Sequence, residues 1–122
     1  MNFDDSPEEA AFRAEVFAFL SANAPRKQQG SLASSYYSRP PSEEAEREHV
    51  AACKAWQRVK HENGWAGITW PKEYGGRGGT AVQQGIFNQE EAKFDVATGV
   101  FSVGIGMAGP TIIAHGTDEQ KR

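Results

Sequence analysis

Three times along this chain a hydroxyl residue stands three places ahead of a Glu or Gln: Ser6-Pro7-Glu8-Glu9, Thr80-Ala81-Val82-Gln83 and Thr117-Asp118-Glu119-Gln120. At that spacing the hydroxyl oxygen accepts from the third helical N–H while the Glu or Gln side chain reaches back to the N–H of the cap residue. Two donors orphaned at a helix start are thereby satisfied. Pro7 adds a residue that suits a first turn, where its missing N–H costs nothing. The intervening apolar residues recur with helical spacing. The sequence therefore predicts an all-α fold of about five helices in an irregular up-down orthogonal bundle, with residues 1–122 as one domain.

Phe12, Val16, Phe19 and Leu20 form the apolar stripe of the first helix, which should end near Asn23 to Pro25. Arg26 to Pro41 carries Gln-Gln-Gly, Ser-Ser and Pro-Pro and is expected to be an exposed loop, with Ser42 capping a second helix. The stripe of that helix is His49, Ala52, Cys53, Trp56 and Val59, and Gly64 is its expected stop. The third helix should run from Thr80 to about Phe94, with Val82, Ile86, Gln89 and Phe87, Glu90, Phe94 as partial faces. Val96 to Ile105 and Pro110 to His115 suggest two short, interior helical pieces joined by glycines, with Gly116 ending the second.

Composition narrows the function. The net charge of -3 on 122 residues offers no basic stripe for phosphate backbones, so nucleic acid is a poor partner. The lone Cys53 excludes an internal disulfide and fits a small buried apolar residue. The acidic start lacks the order of a secretion signal, and the expectation is cytoplasmic. No charge occurs from Val96 to Ala114, yet its glycines, Pro110 and missing interfacial anchors argue against a membrane span.

Chemistry-bearing motifs are sparse. Gly104-Ile105-Gly106-Met107-Ala108-Gly109 spells G-x-G-x-x-G, but too little chain follows it for the second strand and the ribose-binding acid of a nicotinamide-binding fold. The Gly75 to Thr80 loop ahead of a helix start resembles an anion cradle. A tight loop holding Trp70 and Tyr74 against the core is the favoured reading, since no G-x-x-x-x-G-K-[ST] is present. His49 and His61 lack the spacing of a metal pair, so no metal is expected. Glu90 and Glu91, adjacent on a helix, point about 100° apart and suit packing better than acid–base work. No catalytic set is apparent.

The run Gly64-Trp65-Ala66-Gly67-Ile68-Thr69-Trp70-Pro71-Lys72-Glu73-Tyr74-Gly75-Gly76-Arg77-Gly78 resembles the G-W-x-G-x-x-x-P-x-E-Y-G-G-x-G loop of acyl-CoA dehydrogenases. The spacing to Gln89-Glu90-Glu91 and then to Gly116-Thr117-Asp118-Glu119-Gln120-Lys121 is also similar to that family. The likeness covers almost the whole chain and implies the family's amino-terminal helical domain, without the middle β-domain and the carboxy-terminal helical bundle. It further implies an FAD-dependent enzyme that oxidises an acyl-CoA thioester to the trans-2-enoyl-CoA. A glutamate base takes the α-proton, the β-hydrogen leaves as hydride to the flavin, and an electron-transfer flavoprotein reoxidises it.

In most members the base lies in the carboxy-terminal bundle, so no residue here is assigned to it. This chain alone is expected to be inactive and to hold little or no FAD. The matching positions make Phe101, Ile105, Gly106 and Met107 candidate substrate-binding residues, one wall of the acyl pocket. The long Arg26 to Pro41 loop with Tyr36-Tyr37 departs from fatty-acyl members and leaves room for steroid or other bulky CoA thioesters and for a homo- or hetero-oligomer. The contrasting expectations are a stand-alone helical interaction module and the start of a nicotinamide-dependent enzyme.

Overall fold

The computed structural model describes residues 4–28 and 41–122. Among them are five α-helices: α1 (Pro7–Asn23), α2 (Glu43–Glu62), α3 (Ala81–Glu91), α4 (Gly109–His115) and α5 (Asp118–Lys121). A 3-10 turn at Lys72–Tyr74 and a π-helical stretch at Gly104–Ala108 complete them, and no strand occurs among the described residues. The fold is all-α, as the pattern requires.

All three capping boxes form. Ser6 Oγ accepts from the Glu9 N–H and Glu9 Oε2 accepts from the Ser6 N–H, with the same reciprocal pairs at Thr80/Gln83 and Thr117/Gln120. Ser42 caps α2 by accepting from the Ala45 N–H at 3.1 Å. Tyr36-Tyr37 and most of the expected loop from Arg26 to Pro41 lie outside the described residues.

The core gathers Phe12, Val16 and Leu20 of α1, Trp56 of α2, Trp65 and Ile68 of the following loop, Ile86 and Phe87 of α3, and Phe94. Trp65 is its hub. Its ring stacks on Phe87 with centroids 5.4 Å apart, tilts against Phe19 at 5.5 Å and meets Phe12 edge-on at 5.7 Å. The Arg77 guanidinium lies over the same ring at 3.5 Å and pairs with Glu15 at 2.6 Å. Quadrupole complementarity and burial thus act on one side chain together.

The boundaries differ from the sequence pattern in informative places. α3 ends at Glu91, and Phe94 is buried through an isolated antiparallel bridge with Arg26 instead of on a helical face. The Lys27 N–H to Lys93 carbonyl and Asp95 N–H to Pro25 carbonyl bonds stitch the two segments together. Val82 and Gln89 are exposed, because only Ile86, Phe87 and Glu90 of α3 are buried. On α2 the expected stripe residues His49 and Ala52 are exposed. The face below Cys53 and Trp56 is completed by Lys60, whose ammonium pairs with Glu91 at 3.2 Å.

The largest departure concerns the end of the chain. The two short pieces expected at Val96 to Ile105 and Pro110 to His115 are instead one helical rod over 102–115, and the supposed glycine joint is its π-helical middle. Nor is it interior. No residue beyond Phe94 is buried, because no layer among the described residues covers that segment.

Candidate functional site: a cleft beside the terminal helical rod

Between α2, α3 and residues 96–106 lies an open cleft of about 1340 Å³. Cys53 and Trp56 supply the α2 wall, Phe87, Asn88 and Glu91 the α3 wall, and Phe101, Ser102, Ile105 and Gly106 the third. The α2 and α3 walls are firmly held. Trp56 Nε1 donates to Glu91 Oε1 at 2.7 Å, and Cys53 Sγ lies 3.6 Å from the Thr98 carbonyl it donates to and 3.5 Å from His49 Nε2.

Of the four residues marked from sequence, Phe101, Ile105 and Gly106 come together on this cleft. Met107 does not line it and is 65% exposed, on the same side of the rod as Val103 at 66%. A Cβ placed on Gly104 or Gly106 would meet nothing within 4 Å. Nothing among the described residues demands glycine at either position. Gly109 is the opposite case, because a Cβ there would fall 2.3 Å from Cζ2 of Trp70.

Both phosphate-cradle readings fail on geometry. The G-x-G-x-x-G run lies within the helical rod and not at a strand-to-helix turn, which overturns the nicotinamide-binding alternative. Along Gly75 to Thr80 every N–H is already used: by the carbonyls of Lys72, Pro71, Gly67, Trp70 and Ile68 in turn, and by Gln83 Oε1 for Thr80. The loop closes on Trp70 instead of on an anion. Neither glycine run therefore offers a cradle for a dinucleotide.

The adjacent carboxylates divide as their helical angle requires. Glu90, 2% exposed, accepts from Arg13 Nη1 at 2.9 Å and Lys93 Nζ at 2.7 Å, while Glu91 faces Trp56 and Lys60. Burial pushes the Glu90 carboxyl upward, but the bonds from Lys93 and Arg13 more than offset it and hold it below the ordinary carboxylate range. It is thus a structural anion, unsuited to storing a proton. Among the described residues no group of three His, Cys, Asp or Glu could hold a metal, and no helix is long and apolar enough to cross a membrane.

Sequence reasoning missed the contact between Trp70 and the rod, in which Trp70 Nε1 donates to the Ile105 carbonyl at 3.2 Å. A signal was present: Pro110 inside a helical pattern announces carbonyls that need other donors. It also missed the Glu91, Trp56 and Lys60 cluster, for which no local pattern exists.

Comparison with known proteins agrees with this architecture. The chain is 33% identical over 125 residues to the acyl-CoA dehydrogenase FadE29 of Mycobacterium tuberculosis, covering 100% of this chain and 28% of that protein. It is 48% identical over 60 residues to the acyl-CoA dehydrogenase FadE26 of the same organism, covering 49% of this chain and 14% of the relative. Among solved structures it resembles a chain of the ChsE4-ChsE5 complex from Mycobacterium tuberculosis, with a TM-score of 0.60 and 28% identity over 100% of this chain and 27% of that one. The chain therefore spans less than a third of these relatives. The family model for the acyl-CoA dehydrogenase N-terminal domain matches residues 6–122. With the helical order, the Trp65 and Trp70 loop and the capped starts in place, this chain belongs to the acyl-CoA dehydrogenase family and represents its amino-terminal domain.

Proposed function

We propose that this domain serves a flavin-dependent enzyme that oxidises an acyl-CoA thioester to the trans-2-enoyl-CoA, and that it provides one wall of the acyl pocket. The observation that carries this reading is the bare third wall of the cleft. Phe101 and Ile105 present apolar surface beside Gly106, and no atom of the described residues lies within 4 Å of where a Cβ on Gly104 or Gly106 would stand. Apolar area left facing water costs about 25 cal/mol per Å², so such a surface makes sense where a ligand or a packed neighbour removes it from solvent.

FAD, bound in the complete enzyme, supplies the hydride acceptor. What the residues here contribute is water exclusion and orientation. An acyl chain laid against Phe101, Ile105 and Gly106 is desolvated and held in one direction, while Val103 and Met107, on the outer side of the rod, pack against the flavin-bearing and carboxy-terminal parts of the same protein. The base is assigned to the carboxy-terminal bundle of such an enzyme, and an electron-transfer flavoprotein takes the electrons.

Gly106→Leu in the full-length enzyme tests the assignment. The branched side chain would enter the cleft, so KM should rise about tenfold for long or bulky acyl-CoAs and change little for short ones. Equal effects at every acyl length would remove Gly106 from the pocket.

A further inference from the structure

The helical rod over 102–115 contains Pro110. Within a helix a proline brings no N–H and its ring crowds the carbonyl four residues back, here that of Gly106. Up to this point the hydrogen bonding is α-helical, with the Ile105 N–H on the Phe101 carbonyl at 2.9 Å. The backbone then widens into the π-helical stretch Gly104–Ala108, and the Gly109 N–H bonds the Gly104 carbonyl, five residues back. An α-helix would have given that N–H to Ile105. In π-helical spacing the donor for the Ile105 carbonyl would be residue 110, which as proline has none.

Trp70 fills the gap. Its indole Nε1 donates to the Ile105 carbonyl at 3.2 Å, from a loop far away in sequence. The ring reaches the rod because Gly109 has no side chain: a Cβ there would fall 2.3 Å from Cζ2 and 2.6 Å from Cη2 of Trp70. On the loop side, a Cβ on Gly76 would fall 2.0 Å from the Trp70 carbonyl oxygen. The indole is therefore admitted to the rod by Gly109, while Gly76 makes room for the Trp70 backbone, and its one donor is aimed at the carbonyl that Pro110 leaves without a backbone partner.

We propose that Trp70 is a positioning residue that latches the π-helical register of the rod and so sets how Phe101, Ile105 and Gly106 face the cleft. The proposal rests on the pocket reading above for its effect on substrate, and on geometry alone for the latch. Each residue of a helix advances the side-chain direction by about 100°, so a π turn that relaxed to α spacing would swing Phe101 and Ile105 away from their wall relative to α4. π-Helical turns are retained at functional sites for this kind of re-aiming.

Trp70→Phe in the full-length enzyme keeps an aromatic ring and removes the donor. Backbone amide exchange over residues 106–113 should quicken roughly three- to tenfold, the range expected for one lost hydrogen bond. The ratio of kcat/KM for long against short acyl-CoAs should shift about fivefold or more, while kcat for the short substrate stays within about twofold. Gly109→Ala, which displaces the ring without altering its donor, should reproduce both changes. Pro110→Ala returns an N–H to the rod, and adding Trp70→Phe to it should produce little further effect. Unchanged amide exchange in Trp70→Phe, or additive effects of the Trp70 and Pro110 substitutions, would overturn the latch. Quickened exchange with an unmoved chain-length ratio would keep the latch and overturn the pocket reading.

Discussion

Two regions of this domain use the same residue types to opposite ends. Around Trp65 the aromatics and glycines are consumed internally: Trp65 is packed by Phe12, Phe19 and Phe87, and Gly76 exists because the Trp70 backbone leaves no room for a Cβ. Along the rod the apolar residues Val103, Met107 and Ile112 are exposed, and no described residue lies within 4 Å of a Cβ on Gly104 or Gly106. The first region is packed from within. Among the described residues no layer covers the second, and Trp70, through its bond to Ile105, joins the two.

That contrast can be broken most directly by truncating each side. Trp65→Ala should destabilise the 122-residue chain by about 3–5 kcal/mol, because a buried aromatic hub leaves a cavity. Met107→Ala should stay within about 0.5 kcal/mol in the same urea unfolding experiment. Similar losses at both positions would show that the rod is as internally packed as the core.

The buried anion offers a second lever, with an expected loss of about 2 kcal/mol for Glu90→Gln at neutral pH, since its bonds to Arg13 and Lys93 are charge-assisted. The folded Glu90 carboxyl is held low, so its stabilisation is present above the unfolded value of about 4.3 and is lost as pH falls through the folded one. Asp5, held low by its bond from Arg13, acts in the same sense at the protein surface. The stability gap between wild type and Glu90→Gln should therefore narrow on acidification from pH 7 to below the unfolded value of about 4.3. A gap that stays constant over that range would mean that the Glu90 ion pairs contribute nothing to stability.

The smallest effects sharpen the comparison best, because they use one substitution in two places. Gly76→Ala should cost about 1–3 kcal/mol by collision with the Trp70 backbone. Gly104→Ala meets no atom and should stabilise the chain by about 0.5–1 kcal/mol through helix propensity. Thermal unfolding of the two variants gives the sign directly. If Gly104→Ala is destabilising, the space in front of the rod is already occupied within the chain.

Much of the helical order was legible because its causes are local. The Ser6, Thr80 and Thr117 caps satisfy donors within the next turn, and the stripe Phe12, Val16 and Leu20 is a consequence of 3.6-residue spacing. The aromatic-glycine loop could be recognised by its letters, although not why each glycine was needed. Ala52 and Val82 were misplaced on buried faces, since periodicity locates a stripe without saying how far a neighbouring element extends along it. The candidate site was less legible: Phe101, Ile105 and Gly106 meet on the cleft, while Met107 lies on the outer side of the same rod.

The sequence by itself determined that this chain is helical, where most of its helices begin, and which family it belongs to, since caps, stripes and the loop motif act over a few residues. Only the tertiary structure decided that Gly104–Ala108 is a π-helical stretch and not a joint or a phosphate loop. The donor that replaces the missing N–H of Pro110 comes from Trp70, distant along the chain, and a hydrogen bond depends on where two atoms meet in space and not on how far apart they are in sequence.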